Sequence, residues 1–383
     1  MNLPENFEEY SEARRNGFIR MKELKESGKQ VVGIFCTYTP DELIMAADAI
    51  SVGLCGSSEE GILEAEKHLP KNLCPLIKAS YGLAVSDTCP YFYFSDLILA
   101  ETTCDGKKKM YELMGKIKPT HVMHLPPGRE GAASLESWEG EMHRAAEVIS
   151  RQLKAEITEE KLRKAIRQKN RERKAMLRLY EIGKLKPCPA SGYELSSLAE
   201  SVQFLFSSEE KIQTLENRAA ELETRYETEL KGTSSRPRIL ITGCPINGVR
   251  EKIIKQIELM GADVVAFDSC SGPRAQMDLV DETLDPYRAL AEKYLRINCS
   301  VMSPNPGRFE TLDSMVAEYQ IDGVVEIVLQ ACHTFAIEAN LVKSFITQEK
   351  DLPYLCIETD YSQSDSGQIN TRLAAFIELL ETK

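Results

Sequence analysis

Eight of the eleven cysteines in this 383-residue chain form two series of four, one in each half of the sequence. The series are Cys36, Cys55, Cys74 and Cys104, then Cys244, Cys270, Cys299 and Cys332. Most of these cysteines follow a short apolar, β-branched run, which is typical of a buried parallel strand. Open α/β sheets bind ligands at the carboxyl ends of such strands. We therefore expect two related domains to direct their thiols into one cleft.

The cysteine spacing favours a metal–sulfur centre in which single thiolates come from widely separated positions. The intervals are 19, 19 and 30 residues in the first series, and 26, 29 and 33 in the second. No CxxC pair occurs, so a zinc ribbon is not indicated, and the tight run of bacterial ferredoxins is also absent. Iron–sulfur clusters require thiolate ligands. The alternative is that each cysteine is a small buried apolar residue.

Composition narrows the possible environment and partners of the chain. The net charge is −12, which argues against nucleic acid or an anionic membrane as a partner. The first residues are acidic and polar, and no run of 18 apolar residues occurs, so neither a signal peptide nor a membrane span is expected. We expect a cytoplasmic protein, in which cysteines serve more often as metal ligands or catalytic groups than in disulfides.

The order of apolar runs and amphipathic segments predicts an α/β protein with two Rossmann-like parallel-sheet domains, related by an internal repeat and carrying helical additions. Strands are expected at VVGIF, AISVGL, DLILAET and HVMHL, and again at ILITG, DVVAFD, GVVEIVLQ and YLCIET. The predicted divisions are an N-terminal helix with the first domain (1–131), a helical arm with its linker (132–236) and the second domain (237–383). The Leu and Ile faces of the arm must be buried somewhere, which makes the arm the candidate dimer interface.

Three further side chains are candidates for proton transfer or substrate binding. His333 follows Cys332 and could deliver a proton, or could simply be a helix N-terminal residue with local hydrogen bonds. Glu326 lies in an apolar strand, where a carboxylate usually has a partner or a raised pKa, and it is the second candidate donor. Lys78 lies one turn after Cys74 and could reach a bound ligand, with plain packing as the alternative.

Other residues near the strand ends have equally open interpretations. The backbone amides of Gly56, Gly243 and Gly272 could donate hydrogen bonds to cluster sulfur, or these glycines could only allow tight turns. Lysines 107–109 stand at a helix start, where they could attract an anionic ligand or an acidic partner, or form a solvated face. Asp360 and Tyr361 follow the last strand and also lie at a C-terminal edge.

Four segments carry a resemblance to a known family: LCPLIKASYG, ETTCDGKKKMYE, ITGCPINGVREK and LQACHTFAIE. They resemble the 2-hydroxyacyl-CoA dehydratase D-component superfamily and, more closely, its double-cubane-cluster protein branch. The resemblance runs over almost the whole chain. It implies one [4Fe–4S] cluster on Cys74, Cys104 and Cys332, or a double-cubane [8Fe–9S] cluster that needs six thiolates. From the repeat we rank the additional ligands as Cys55, Cys270 and Cys299, then Cys89, and last Cys36 and Cys244.

The resemblance also implies an activity and partners. A separate homodimeric ATPase with its own [4Fe–4S] cluster would supply electrons at low potential, and this chain, itself a homodimer, would reduce a small substrate. The sequence has no GxxxxGK[ST] phosphate loop, in agreement with ATP hydrolysis on the partner. The alternatives are a 2-hydroxyacyl-CoA dehydratase subunit with a single [4Fe–4S] cluster and a non-catalytic low-potential electron carrier.

Overall fold

Two four-stranded parallel sheets form the framework of the protein, whose computed structural model describes residues 12–270 and 272–382. The first sheet has the strand order β2-β1-β3-β4 and the second the order β6-β5-β7-β8, so the two share one topology. This confirms the predicted α/β fold with two Rossmann-like sheets. The strands are β1 (Val31–Ile34), β2 (Ile50–Gly53), β3 (Leu97–Glu101), β4 (Thr120–Met123), β5 (Arg238–Gly243), β6 (Asp263–Asp268), β7 (Gly323–Leu329) and β8 (Tyr354–Thr359).

Fifteen α-helices connect and cover these strands within the described residues. The first half contains α1 (Glu12–Glu26), α2 (Asp41–Ala46), α3 (Ile62–Ala65), α4 (Pro75–Val85), α5 (Pro90–Phe94) and α6 (Asp105–Met114). The middle contains α7 (Ala132–Leu153), α8 (Glu159–Glu181), α9 (Gly192–Ser201) and α10 (Ser208–Arg225). The second half contains α11 (Ile254–Leu259), α12 (Pro286–Leu295), α13 (Pro306–Glu318), α14 (His333–Ser344) and α15 (Ser366–Glu381). The part of the predicted N-terminal helix before residue 12 lies outside the described residues.

Local sequence explains where most of these elements begin and end. Strands β3, β5 and β7 are buried along their whole length, as expected for near-continuous apolar runs in sheets covered on both faces. Proline occupies the first position of several helical segments, where its missing N–H costs no hydrogen bond. These segments are α4, α5, α12, α13 and the short 3-10 turn Pro273–Ala275.

The helices between the two sheets pack onto the α/β halves and do not project as an arm. Helix α7 packs against β3, β4 and α12, α8 packs against α2 and α10, and α9 packs against α11 and β6. Their apolar residues, including Trp138, Ile149 and Leu222, are buried inside the chain. The same chain therefore covers these apolar faces, and a dimer interface at these helices stays a prediction.

None of the helices in the described residues combines the length and the apolar character that crossing a bilayer requires.

Candidate metal centre

Strand ends and helix starts position the eight cysteines of the two series. Six follow equivalent strands of the two sheets, since Cys36, Cys55 and Cys104 come after β1, β2 and β3, and Cys244, Cys270 and Cys332 come after β5, β6 and β7. Cys74 directly precedes α4, whereas Cys299 lies in the connection between α12 and α13. The repeat seen in the sequence thus corresponds to equivalent edges of two like sheets.

The two edges face each other, and the halves are held together on both sides of the cysteines. The hydroxyl of Tyr38, two residues after Cys36, donates to the carbonyl of Ile297, two residues before Cys299, at 2.5 Å. On the other side, Gly248 has φ +82 and packs so closely that a Cβ would lie 2.1 Å from the carbonyl oxygen of Ser57. Only glycine fits there without backbone movement.

Electrostatic interactions connect all eight thiols into one group, which we call the thiol cluster. These interactions link Cys332 to Cys74, Cys244 and Cys104, Cys299 to Cys36, Cys104 and Cys270, and Cys270 to Cys55. The contacts of Cys188 and Cys356 are with residues outside this group. The expected convergence of both series is therefore seen in the structure.

Three members of the thiol cluster cap helices. Cys74, Cys104 and Cys332 are the N-cap residues of α4, α6 and α14. The N-terminus of a helix carries partial positive charge, which stabilises a thiolate and so favours metal binding. These are the same three cysteines for which the family resemblance implies a [4Fe–4S] cluster.

Direct contacts between thiols are concentrated at Cys332. Hydrogen bonds with Cys244 and Cys74 lower the pKa of the Cys332 thiol to about 3. The hydrogen bond with Cys332 raises the pKa of Cys74, and burial with the same kind of contact raises that of Cys244. Cys332 thus lies within hydrogen-bond reach of both other thiols, and a metal bound by the three would displace their protons.

The donor groups around the thiol cluster fit an iron–sulfur group. Tyr361 is 5% exposed, contacts four thiols of the cluster electrostatically, and its hydroxyl finds no hydrogen-bond partner among the described residues. In the same part of the chain, Nη1 of the buried Arg274 also finds no partner, and its guanidinium interacts with Cys299 and Cys270. Such donors suit the sulfur atoms of a cluster. No group of three or more His, Cys, Asp or Glu side chains in the described ranges is arranged around a single ion.

A cavity of about 280 Å³ borders the thiol cluster between the two halves. One wall carries Cys36, Cys55, Cys270 and Lys107. The opposite wall is formed by α8 and α10 and includes Lys169, Glu172, Met176, Tyr180, Lys211 and Leu215. The cavity can hold a small molecule against the thiols, with an apolar belt and charged groups around it.

Lys107 links this cavity to the sheet edge. Its side chain is buried, and its ammonium donates to the Phe35 carbonyl at 3.0 Å and approaches the Cys55 sulfur at 3.7 Å. Lys108 and Lys109 instead form exposed pairs with Asp105 and Glu112. Only the first lysine of the run therefore reaches the site.

The three predicted proton-transfer or binding residues lie in different surroundings. His333 is exposed at the first position of α14, next to Cys332. The ammonium of Lys78 is 2.9 Å from Glu66 and 2.9 Å from the Lys71 carbonyl. Both these bonds are to groups outside the thiol cluster, which favours the packing alternative.

Glu326 has the partner that its position on an apolar strand predicts. It is completely buried in β7, where it accepts a hydrogen bond from Tyr354 at 2.6 Å and pairs with Arg308 at 3.2 Å. Burial raises the pKa of this carboxyl, and the Arg308 charge opposes that shift. Arg308 also pairs with Asp268 and Glu338, so Glu326 belongs to a buried charge network of the second sheet.

The predicted glycines serve close backbone packing. The amide of Gly56 donates to Ser80 Oγ at 2.8 Å, and the amide of Gly272 donates to the Ser269 carbonyl at 3.0 Å. Gly243 has φ +109, and a Cβ there would lie 2.2 Å from the Ile327 carbonyl oxygen. The amides of Gly56 and Gly272 thus already donate within the chain, which favours the alternative that these glycines serve turns and close packing.

One buried carboxylate near the site was missed by the sequence analysis. Glu101 ends β3 and is completely buried, and the hydroxyl of Thr39 on the cavity wall donates to it. Burial raises the pKa of Glu101 to about 7, against the opposing effects of Thr39 and Lys107. Its signal in the sequence was the same as that of Glu326, a carboxylate in the apolar strand DLILAET.

Comparison with known proteins gives the chain its family. The model of the 2-hydroxyglutaryl-CoA dehydratase D-component family matches residues 36–380. The chain is 50% identical over 379 residues to the putative dehydratase subunit YjiM of Escherichia coli (strain K12), covering 99% of each chain. It is 24% identical to the (R)-phenyllactyl-CoA dehydratase beta subunit of Clostridium sporogenes, covering 94% of each chain, and 23% identical to a benzoyl-CoA reductase subunit of Thauera aromatica, covering 95% of this chain and 92% of that one. The chain therefore belongs to the 2-hydroxyglutaryl-CoA dehydratase D-component family, whose compared members include subunits of dehydratases and reductases.

Proposed function

We propose that this protein is an iron–sulfur reductase that binds a double-cubane [8Fe–9S] cluster at the thiol cluster. The cluster would receive single electrons at low potential from a separate ATP-hydrolysing [4Fe–4S] activator protein and pass them to a small substrate. The observation that carries this proposal is the convergence of eight thiols, six of them from equivalent strand ends of the two sheets. Six thiolates are needed for the larger cluster, and the thiol cluster offers more than six. The protein would act as a homodimer in the cytoplasm.

Cys55, Cys74, Cys104, Cys270, Cys299 and Cys332 are the proposed ligands. Three of them lie at helix N-termini, where the backbone charge favours the thiolate. The other three come from the strand ends and from the loop after α12, so they form a second set distinct from the helix caps. This division suits two joined cubanes, each held by its own set of thiolates.

The cavity beside the thiol cluster favours a reductase over an electron carrier. A carrier needs no space for a second molecule next to its cluster, whereas this cleft leaves about 280 Å³ there. In this proposal the Lys107 ammonium holds the end of β1 near Cys55 through its bond to the Phe35 carbonyl. The side chains of α8 and α10 that line the cavity keep bulk water from the reacting end of the substrate. His333, exposed beside Cys332, would deliver protons from solvent.

A 2-hydroxyacyl-CoA dehydratase subunit is the second candidate. Its support is the set of dehydratase subunits among the relatives and the three N-cap cysteines, which suffice for a single [4Fe–4S] cluster. Such a subunit would work with a different subunit, whereas the double-cubane protein would pair with itself. The remaining five thiols of the thiol cluster would then have no metal to bind.

Metal analysis separates these two candidates. We expect about eight irons and nine acid-labile sulfides per chain in protein purified without oxygen. About four of each would favour the dehydratase subunit with one cubane. A chain that binds neither iron nor sulfide after anaerobic reconstitution would contradict both proposals, because the thiols would then be ordinary buried side chains.

The proposed partner can be tested on the same preparation. Addition of an ATP-hydrolysing activator with MgATP should bleach the visible absorption of the loaded protein, and activator with the non-hydrolysable analogue AMP-PNP should not. Equal bleaching with both nucleotides would contradict ATP-driven electron transfer.

A further inference from the structure

Glu101 is a buried acid beside the cavity, and the proposed function assigns it no role. Its side chain is 0% exposed at the end of β3, and the Thr39 hydroxyl donates to its Oε1 atom. Its Oε2 atom has no hydrogen-bond partner among the described residues. An ionised carboxylate with an unpaired oxygen is costly away from water, so burial favours the form that carries a proton.

Thr39 connects this acid to the substrate cavity. Its side chain is buried but lines the cavity wall, together with Thr37 and Cys36. The Thr37 hydroxyl also lacks a partner within the described part of the chain. A hydroxyl rotates freely, so Thr39, which donates to the ionised carboxylate, can instead accept from the protonated carboxyl and donate its own proton into the cavity.

The groups that face Glu101 come from two elements. Lys107 and Tyr111 approach from α6, and Cys36 approaches from the end of β1. The Lys107 ammonium donates to the Phe35 carbonyl and approaches the Cys55 thiol. Its charge therefore opposes the effect of burial on Glu101, although its hydrogen bonds go to these other groups.

We propose that Glu101 stores a proton for the reaction in the cavity and passes it through the Thr39 hydroxyl to the bound substrate. This inference rests on the proposed reductase function, in which a low-potential donor protein supplies the electrons. For every two electrons that enter the substrate, two protons must follow. In each transfer the protonated Glu101 carboxyl turns to donate to Thr39 Oγ, reversing the hydrogen bond in which the Thr39 hydroxyl donates to it. The O–H bond of the Glu101 carboxyl then breaks and a new one forms at Thr39, while the original Thr39 proton moves to the substrate. Water that enters the cavity then returns a proton to the Glu101 carboxylate through the Thr39 hydroxyl.

Glu101 is a positioning residue in this scheme, since it acts through Thr39 and does not touch the substrate. Its carboxyl group has a pKa raised to about 7, so the stored proton is present below that pH and is lost as the pH rises above it. Proton delivery should therefore fail on the alkaline side. The groups that modulate this loss are the Lys107 ammonium, the Tyr111 hydroxyl and the Cys36 thiol.

Infrared spectroscopy of the full-length protein tests whether the proton is stored. We expect a carboxylic C=O band that is present below pH 7, disappears above it and is missing in Glu101→Gln. The matched control is Glu258→Gln, because burial also raises the pKa of Glu258 to about 7, while its carboxyl accepts from the backbone amide of Tyr193 away from the cavity. Glu258→Gln should keep the Glu101 band. An infrared spectrum of Glu101→Gln that equals the native spectrum at every pH, or a native protein without a carboxylic band below pH 7, would overturn the proposal.

The route through Thr39 is tested by exchange of the same carboxyl proton after mixing with D₂O. Thr39→Val removes the hydroxyl at nearly constant volume, and the exchange should slow by about tenfold or more, as expected for loss of a general acid–base group. Thr39→Ser keeps the hydroxyl and should exchange at nearly the native rate. Equal exchange rates in native protein and Thr39→Val would overturn the proposed route.

Coupling to electrons is tested on iron-loaded protein with Ti(III) citrate as the reductant. The midpoint potential of the iron–sulfur cluster in native protein should fall as the pH rises through 7. In Glu101→Gln the potential of the cluster should stay constant over the same range. A native potential that does not change between about pH 6 and pH 8 would contradict the coupling. Neither infrared measurement needs iron. A protein that binds no cluster would therefore disprove the reductase function, while the infrared results would still test the stored proton and its route.

Discussion

At the scale of single residues, the site contains polar atoms that are buried without a partner in the described part of the chain. Tyr361, Arg274 and Glu101 each carry one such atom. Each of the three also interacts electrostatically with at least one thiol of the thiol cluster. An unsatisfied buried group lowers stability, so its presence beside the thiols indicates a place where a ligand is bound. The sequence alone singled out Tyr361 only weakly and did not identify the other two.

Replacement of Tyr361 by phenylalanine should have opposite effects in the two forms of the protein. Without iron, the change removes an unsatisfied hydroxyl, and the melting temperature should stay equal or rise slightly. With iron, the change removes a donor to cluster sulfur, and the free energy of unfolding should fall by about 1 kcal/mol. Differential scanning calorimetry under nitrogen measures both forms. If the loaded variant melts at the native temperature, Tyr361 donates nothing to the cluster.

At the scale of elements, helix starts and strand ends bring the chemistry together. Local sequence predicted these positions well, because a proline after Cys74 and an apolar run before Cys104 or Cys332 are short-range signals. All eight predicted strands are found in the structure. The helical arm stays a prediction as a domain division, and its apolar faces pack within the chain; amphipathic spacing shows that a face must be buried but not which surface buries it.

The three N-cap cysteines should differ from a cysteine that caps a helix away from the thiol cluster. We expect serine at position 74, 104 or 332 to lower iron affinity at least about tenfold. Cys89→Ser is the matched control, because Cys89 caps α5 and is followed by proline, as Cys74 is. Iron and sulfide analysis after anaerobic reconstitution gives the measurement. Loss of iron in Cys89→Ser equal to that in Cys74→Ser would contradict a ligand role that is specific to Cys74, Cys104 and Cys332.

At the scale of the whole molecule, buried ion pairs connect the two halves through the middle helices. Arg173 in α8 lies 2.7 Å from Glu42 in α2 and donates to Tyr294 in α12 at 3.0 Å. Tyr294 in turn donates to Glu42 at 2.8 Å. All three side chains are almost fully buried, so each depends on the others for its hydrogen bonds.

Removal of one charge from this group should destabilise the whole chain. Arg173→Met leaves the Glu42 carboxylate buried and unpaired, and the free energy of unfolding should fall by about 3–5 kcal/mol in urea. The double variant Glu42→Gln/Arg173→Met should lose less, because no charge is left alone. Arg171→Met is the control, since Arg171 forms an exposed pair with Glu209 and should cost at most about 1 kcal/mol. Equal losses for Arg171→Met and Arg173→Met would refute this role.

Short-range signals in the sequence were sufficient to predict the two parallel sheets, the repeated strand ends and the eight cysteines beside them. These features are local, because hydrophobic periodicity and helix-start residues act over a few positions. Long-range packing established which thiols touch, that Lys78 binds Glu66, that the middle helices are buried, and that Thr39 reaches Glu101. Those contacts join residues far apart in the chain, and they follow from how the two sheets and their helices pack, which no short stretch of sequence encodes.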